Sequence, residues 1–197
     1  MGFSKLRFLI SAILILAVYP KVFCGDLKFN EPKVGSNGTV VFSYILESLP
    51  LSAKEVFSAS LNYLQKEYKT TIYKNVESVP EKGIVYGKGE FSSFYTDNGL
   101  VKTEIFSAEY YLRMDAKDGR ARIQLVFTNY DVKELSDASK QTNLQVSISK
   151  VAPFAEAENN GRYKKAFKAL TANANIVLNS VVENFRSVNP SPILDEW

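Results

Sequence analysis

The sequence contains no histidine and only one cysteine, Cys24, among its 197 residues. Without histidine, neither a Ser-His-Asp triad nor a histidine-ligated zinc site can be built. A single cysteine cannot form a disulfide within the chain, and it provides no thiol nucleophile once the amino-terminal segment is removed. These absences exclude several common enzyme chemistries. We therefore predict a protein that is not an enzyme, with no catalytic residue, no metal site and no cofactor.

The amino terminus has the features of a secretory signal peptide. Lys5 and Arg7 precede the apolar run 8–19, and Pro20 introduces a short segment that ends at Cys24. The apolar run is too short to span a bilayer comfortably. We therefore expect cleavage after Cys24 and export to the periplasm or cell envelope, or release outside the cell, with no transmembrane span after processing.

Two alternatives stay open for this segment. The first is an uncleaved helix that anchors the protein in the membrane. The second is acylation of Cys24, which is disfavoured because Phe23 is bulky where a small residue is expected and Lys21 is charged.

Removal of residues 1–24 changes the charge balance of the chain. The full sequence has 24 basic and 21 acidic residues, and the removed segment contains three basic residues and no acidic one. The mature chain is therefore formally neutral, with 21 residues of each sign. Its net charge gives no support to nucleic-acid binding, and we predict no nucleic-acid partner.

The stretch from Glu104 to Tyr130 predicts a β-hairpin. Asp118 and Gly119 stand between two alternating runs, and Asp-Gly favours a two-residue type I′ turn because both residues tolerate positive φ. Placing these residues at the tip fixes the register. The pairs on one face are then small or apolar: Ala116 with Ala121, Met114 with Ile123, Leu112 with Leu125, and Tyr110 with Phe127. This face is predicted to be core.

The opposite face of the hairpin is mostly polar, and Lys117 faces Arg120 beside the tip. Its further pairs are Asp115 with Arg122, Arg113 with Gln124, Tyr111 with Val126, and Glu109 with Thr128. Aromatic and arginine side chains on a rigid exposed surface are typical of interfaces. We predict a binding surface made of Tyr111, Arg113, Asp115, Arg122 and Gln124. The alternative is a sheet face that is merely solvated.

The rest of the chain predicts three more strands and two helices. Ser52 and Glu55 fit a capping box, followed by apolar residues at helical spacing to Tyr68. A second helix over 162–186 has an apolar stripe that steps by four and three. The further strands are predicted at 39–46, 69–79 and 84–94.

Turn-forming residues cluster at 80–83 and at 95–99, so both stretches are predicted as turns. Residues 131–143 are polar, and 144–148 alternate, which would add a short strand or an extended edge segment.

These elements predict an α+β fold with a curved antiparallel sheet in the order β-α-β-β-β-β-α and both helices packed on one face. No repeat or linker divides the chain. The predicted organisation is a signal peptide at 1–24, a lead-in at 25–38, a single domain at 39–188 and a flexible tail at 189–197.

Gly87 and Gly89 remove two side chains from one face of the predicted strand 84–94. Such glycines indicate a bulge or a place where a helix packs close to the sheet. A phosphate-binding loop is the weaker interpretation, because the remaining glycines of that motif and a following helix are missing.

The element order, the Lys117-Asp118-Gly119-Arg120 turn with the following Ala121-Arg122-Ile123, and the glycines at 87 and 89 resemble the bacterial family called domain of unknown function 4468. The resemblance is strongest over 40–132. It implies a TBP-like fold and an address in the cell envelope, but no activity, and the name of the fold does not imply DNA binding.

Three classes of function follow from these patterns. The first is a non-enzymatic binding module for an unknown protein or envelope component. The second is a binder of a small apolar ligand or lipid between the carboxy-terminal helix and the sheet, lined by Tyr110, Phe127 and Phe167. The third is an enzyme that uses acidic residues, with Glu109, Asp115 and Asp118 as the available carboxylates. Asp115 and Asp118 are poor candidates, because pairing with Arg122 and turn chemistry already explain them.

Overall fold

The computed structural model of the chain describes residues 27–69, 73–137, 140–156 and 160–188. The predicted signal peptide and the predicted tail lie outside the described residues. Over the described residues, eight strands form one antiparallel sheet: β1 (Lys33–Val34), β2 (Val40–Leu46), β3 (Tyr73–Val79), β4 (Ile84–Asn98), β5 (Thr103–Lys117), β6 (Arg120–Phe127), β7 (Asn129–Asp137) and β8 (Lys140–Ser147). The same part of the chain contains the helices α1 (Ala53–Lys69) and α2 (Asn160–Ser187).

The central strand β5 organises the sheet, whose main path runs β1-β2-β6-β5-β4-β3. The second half of β5 pairs with β6, its first half pairs with β7, and β8 continues the sheet beyond β7. β4 pairs with both halves of β5 and has a bulge between Phe91 and Tyr95. A bulge of this kind bends its strand and increases the local twist.

The predicted register of the β5–β6 hairpin is confirmed. Tyr110 pairs with Phe127, Leu112 with Leu125, and the remaining predicted pairs follow as far as Lys117 with Arg120. Leu112 and Leu125 are fully buried. The predicted pair of Glu109 with Thr128 is not formed, because β6 ends at Phe127.

The type I′ turn is a wrong prediction. Within the turn at 117–120, Gly119 has positive φ (68°), and Asp118 is not among the residues with positive φ. A type I′ turn requires positive φ at both positions, whereas a type II turn requires it only at the second. The loop before α1 holds the tip in this form, because Leu49 N donates to Gly119 O and Gly119 N donates to Leu51 O, each at 2.9 Å.

Both helices pack on one face of the sheet, which we call the inner face; the opposite surface is the outer face. α1 contacts β3, β4, β5, β6 and α2, and α2 contacts β4. The predicted capping box is present, since Ser52 N donates to Glu55 Oε2 at 2.8 Å and Glu55 N donates to Ser52 Oγ at 3.4 Å. The buried residues of the predicted α2 stripe are Tyr163, Leu170, Ala174, Val181 and Phe185, while Phe167 and Val177 are partly buried against the same core.

The glycines of β4 make room on the inner face. A Cβ atom on Gly87 would lie 3.4 Å from the Leu64 methyl carbons of α1, which confirms close packing of a helix. A Cβ atom on Gly89 would lie 2.5 Å from Cζ of Tyr110. The irregularity here is in the neighbouring strand, where the β3–β4 register shifts between Lys74 and Glu77.

The predicted element order omits three strands. Residues 131–143 fall almost entirely within β7 and β8, and the lead-in contains the two-residue strand β1. Of the two options for 144–148, the short strand is the one observed, since β8 extends to Ser147. The predicted turn at 95–99 is also wrong in part, since β4 continues to Asn98 and Tyr95 pairs with Phe106.

The chain before β1 lies against α2. Leu27 N donates to Asn179 Oδ1 at 3.1 Å, and Asn179 Nδ2 donates back to Leu27 O at 3.0 Å. Phe29 N donates to Asn175 Oδ1 at 2.9 Å. Two asparagines one helical turn apart therefore hold this part of the predicted lead-in on the helix layer.

Candidate functional site

The outer face consists of cross-strand rows of side chains. Lys117 and Arg120 form the pair at the β5–β6 tip. Behind that pair the first row is Ile45, Arg122, Asp115 and Ile84; the next is Ser43, Gln124, Arg113, Tyr86 and Glu77; the third is Val41, Val126, Tyr111 and Lys88. All five residues predicted from the hairpin register, Tyr111, Arg113, Asp115, Arg122 and Gln124, are therefore on one surface. They lie on β5 and β6, in the middle of the main sheet path.

Asp115 is held between two arginines. Arg113 Nε donates to Asp115 Oδ1 at 2.7 Å, and Arg122 Nε donates to Asp115 Oδ2 at 2.7 Å, with a further bond from Arg122 Nη2 to Oδ2. The Asp115 side chain is only 12% exposed, whereas those of Arg113 and Arg122 are 41% and 47% exposed. The carboxylate therefore fixes two guanidinium groups on an open surface, and it is not a free base.

Tyr111 is the most exposed aromatic residue of this face, at 51%. It lines a shallow hollow of about 100 Å³ together with Lys88 and Glu109. Lys88 Nζ lies 2.6 Å from Glu109 Oε2, and this hydrogen bond raises the pKa of Lys88. The tyrosine ring is therefore bordered by an ion pair and open to a partner.

Gln124 and Tyr86 occupy the second row on either side of Arg113. Gln124 is partly buried between Ser43 and Arg113. Tyr86 OH donates to Glu77 Oε2 at 2.6 Å, and this bond raises the pKa of the Tyr86 hydroxyl. The row is thus polar, with its tyrosine hydroxyl directed to a carboxylate of β3.

A larger hollow of about 330 Å³ lies at the tip end of the outer face, and we call it the tip hollow. Its lining residues are Ile45, Lys82, Ile84, Arg113, Asp115, Ala116, Lys117, Arg120 and Arg122. Sequence reasoning missed this site. The signal for part of it was available, because the predicted register already placed Lys117 opposite Arg120; Lys82 arrives from the β3–β4 turn, whose position the hairpin pattern does not determine.

A second charged cluster lies at the far end of β5, on the inner face. Glu104 is 2% exposed; Arg162 of α2 donates to Glu104 Oε1, and Lys102 Nζ lies 2.8 Å from the same atom. Lys102 also donates to Glu134 of β7, and this bond lowers the pKa of Glu134. The sequence interpretation did not identify this cluster, although the alternation that makes Tyr110 a core residue also places Glu104 inside.

The aromatic residues proposed to line an apolar pocket pack within a cluster of aromatic rings instead. The ring centroids of Tyr110 and Phe127 are 5.6 Å apart, and Phe42 lies 5.6 Å from Phe127 and 5.9 Å from Phe167. Tyr110 and Phe127 are 1% and 0% exposed. These separations are typical of aromatic pairs in a close-packed core.

Within the described part of the chain, no three side chains of histidine, cysteine, aspartate or glutamate come together as a metal site. Over the same residues, neither helix combines the length and apolar character needed to cross a bilayer.

The antiparallel sheet with two helices on one face is a TBP-like α+β fold. No family model matches the chain, and no curated protein matches it. Solved structures of other proteins do match the chain. A TBP-like protein from Parabacteroides distasonis is 16% identical with a TM-score of 0.57, and the match covers 79% of this chain and 97% of that one. A DUF4468 family protein from Bacteroides ovatus is also 16% identical, with a TM-score of 0.51 and coverage of 86% and 95%.

These similarities confirm the expected fold and support the resemblance on which it was based. At 16% identity they show the fold alone. Function must therefore be argued from the surface of this chain.

Proposed function

We propose that this chain is an exported bacterial envelope protein that acts as a non-enzymatic binding module, with the outer face as its contact surface. The observation that carries the proposal is the placement of a half-exposed Tyr111 beside two arginines whose guanidinium groups are already fixed by Asp115. Tyrosine and arginine are the residues that contribute most often to binding energy at interfaces.

The surface is also preorganised. Its five central residues lie on β5 and β6, which are paired on both sides in the sheet. A partner would not need to order a loop, so little conformational entropy would be lost on binding. The carboxylate at its centre is engaged by two cations, which supports a binding role over acid–base chemistry.

Export is tested at the amino terminus. The full-length chain is expressed in a bacterial host, the cells are fractionated, and the mature protein is analysed by intact mass spectrometry. We expect a periplasmic or envelope-associated product that begins at Gly25. A cytoplasmic product that retains residues 1–24 would contradict export.

Binding is tested by photo-crosslinking in intact cells. A benzophenone amino acid is placed at Tyr111 and, as a matched control, at Ile176 of α2, which is 67% exposed on the other side of the molecule. We expect a discrete adduct from position 111 that is lost when Arg122→Ala is added, and none of that mass from position 176. The same adducts from both positions, or none from position 111, would overturn the proposal.

A further inference from the structure

We propose that the tip hollow binds a phosphate group, carried as a phosphate ester or a pyrophosphate. This inference rests on the proposed function of the outer face and names the chemistry that it recognises. The hollow is lined by five basic residues and one acidic residue, although the mature chain as a whole has equal numbers of each.

Three of the five cations are unneutralised. Asp115 is engaged by Arg113 and Arg122, and over the described residues no carboxylate lies within ion-pairing distance of Lys82, Lys117 or Arg120. Unpaired cations around a concave surface with apolar walls concentrate a positive field, which attracts anions.

The register places two of these cations directly opposite each other. Lys117 pairs with Arg120 across the last rung of the hairpin, and like charges in that position destabilise the strand pair. Local rules of this kind are expected to be broken at functional or strained sites. A bound anion between the two side chains would remove the repulsion.

The nearby carboxylates do not fill this role. Glu47 and Asp118 line an adjoining hollow that shares Lys117 and Arg120, and Asp118 Oδ1 accepts a hydrogen bond from Ala53 N at 2.7 Å. Even if both are counted with Asp115, five cations face three carboxylates.

The shape and donor set favour phosphate. Ile45 and Ile84 stand at the two ends of the row that contains Arg122 and Asp115, and thus form apolar walls around a charged floor. Guanidinium groups bind phosphate oxygens through paired hydrogen bonds, and lysine adds a point charge. A ligand with more than one negative charge matches this excess of cations better than a single carboxylate does.

The test is calorimetric titration of the mature protein with pyrophosphate. K117Q/R120Q removes two exposed cations of the hollow; the matched control K164Q/K165Q removes two exposed cations at the start of α2. We expect the first variant to weaken binding at least about tenfold and the control to leave it within about twofold. No binding to the wild-type protein, or an equal loss in both variants, would overturn the proposal.

Two further arms identify what carries the phosphate. One is cosedimentation with phosphatidylcholine vesicles that contain phosphatidylglycerol, and the other is titration with glucose 1-phosphate. Binding counts as specific when pyrophosphate displaces it and K117Q/R120Q abolishes it. Specific binding to the vesicles assigns the source as a lipid headgroup, and specific binding of glucose 1-phosphate assigns it as a soluble ester. If pyrophosphate binds but neither arm shows specific binding, the hollow is assigned to free pyrophosphate.

The two proposals can fail separately. If pyrophosphate binds but position 111 gives no adduct, the contact surface is wrong and the anion site stands. If the adduct forms but pyrophosphate does not bind, only the anion site is overturned.

Discussion

At Gly89, the sheet lacks a side chain because a ring occupies the space. A Cβ atom there would lie 2.5 Å from Cζ of Tyr110, and the Tyr110 ring is itself bounded by Phe91 at 4.5 Å and Phe127 at 5.6 Å. Tyr110 is 1% exposed, so its ring has little room to move away. The neighbouring Gly87 is less constrained, since its nearest contacts are the methyl carbons of Leu64 at 3.4 Å.

We therefore expect G89A to lower the free energy of unfolding by about 1–3 kcal/mol, because the added methyl overfills a packed core. G87A should lower the free energy of unfolding by less than G89A does, because the added methyl would be only slightly too close to Leu64. Urea denaturation followed by circular dichroism measures both changes.

Gly161 provides the control for these substitutions. No atom lies within 4 Å of a Cβ atom built there, and the residue is in α2, where alanine is favoured over glycine by up to about 1 kcal/mol. G161A should therefore be neutral or stabilising. Equal effects of G89A and G161A would show that Tyr110 does not limit the space at position 89.

The residue-scale predictions from sequence succeeded where a strict alternation fixed them. Once Asp118 and Gly119 were placed at the tip, the face of every side chain from Tyr110 to Phe127 followed. The close approach of the Tyr110 ring to Gly89 could not be deduced from the sequence. The rotamer that brings the ring there depends on how Tyr110 packs against Phe91 and Phe127. Lys82 could not be assigned to the tip hollow for a similar reason, since it comes from a turn on another pair of strands.

At the scale of elements, the hairpin tip and the start of α1 stabilise each other. Asp118 Oδ1 accepts a hydrogen bond from Ala53 N at 2.7 Å, which satisfies one of the free N–H groups at the helix start. Gly119 exchanges backbone hydrogen bonds with Leu49 and Leu51. The sequence explains Asp118 by turn chemistry alone. In the structure Asp118 also caps α1, whose residue Ala53 lies 65 residues earlier in the chain.

D118A should lower the free energy of unfolding by about 1–2 kcal/mol, because the helix loses a capping acceptor. D118N keeps an oxygen acceptor and loses only the favourable charge at the helix start, which is worth about 0.3–1 kcal/mol. The free energy of unfolding, measured by chemical denaturation, should therefore decrease from the wild type to D118N and further to D118A. A D118A variant as stable as D118N would show that the contact with Ala53 contributes nothing.

The missed strands show which elements a sequence pattern does not predict. Residues 141–145 of β8 are exposed, so the strand buries few side chains, and only its end, from Leu144, belongs to the alternating run 144–148. It is held by backbone pairing to β7, which in turn pairs with the first half of β5. α1, by contrast, combines a capping box and an apolar stripe, and it was predicted almost to the residue.

At the scale of the whole molecule, the charged cluster around the buried Glu104 joins three distant elements. Glu104 comes from β5, Glu134 from β7 and Arg162 from α2, and Lys102 bridges the two carboxylates. Removing one cation would leave the buried Glu104 carboxylate with one partner fewer, so the cluster couples the position of α2 to the β7 arm of the sheet.

Glu134 makes stability depend on pH. Its hydrogen bond with Lys102 lowers its pKa in the folded protein, so it contributes stability that is present at neutral pH and lost as the pH falls through the folded-state pKa. E134Q should therefore unfold at a lower temperature than the wild type at pH 7, and its stability should change less below about pH 4.5.

Thermal unfolding followed at a series of pH values measures this effect. The control is E81Q, at an exposed carboxylate for which the described residues provide no ion pair. It should follow the wild-type pH profile. An E134Q profile parallel to that of the wild type would mean that the contact with Lys102 adds no pH-dependent stability.

The asparagines of α2 also determine how the molecule would be oriented if its amino terminus were attached to a membrane. Leu27 is fastened to Asn179 on the helix layer, and only two residues separate it from Cys24, a reach of about 10 Å. A lipid on Cys24 would therefore tether the protein by its helical side. The tyrosine and the arginines would then point into the surrounding aqueous space, where a soluble or cell-wall component could approach them.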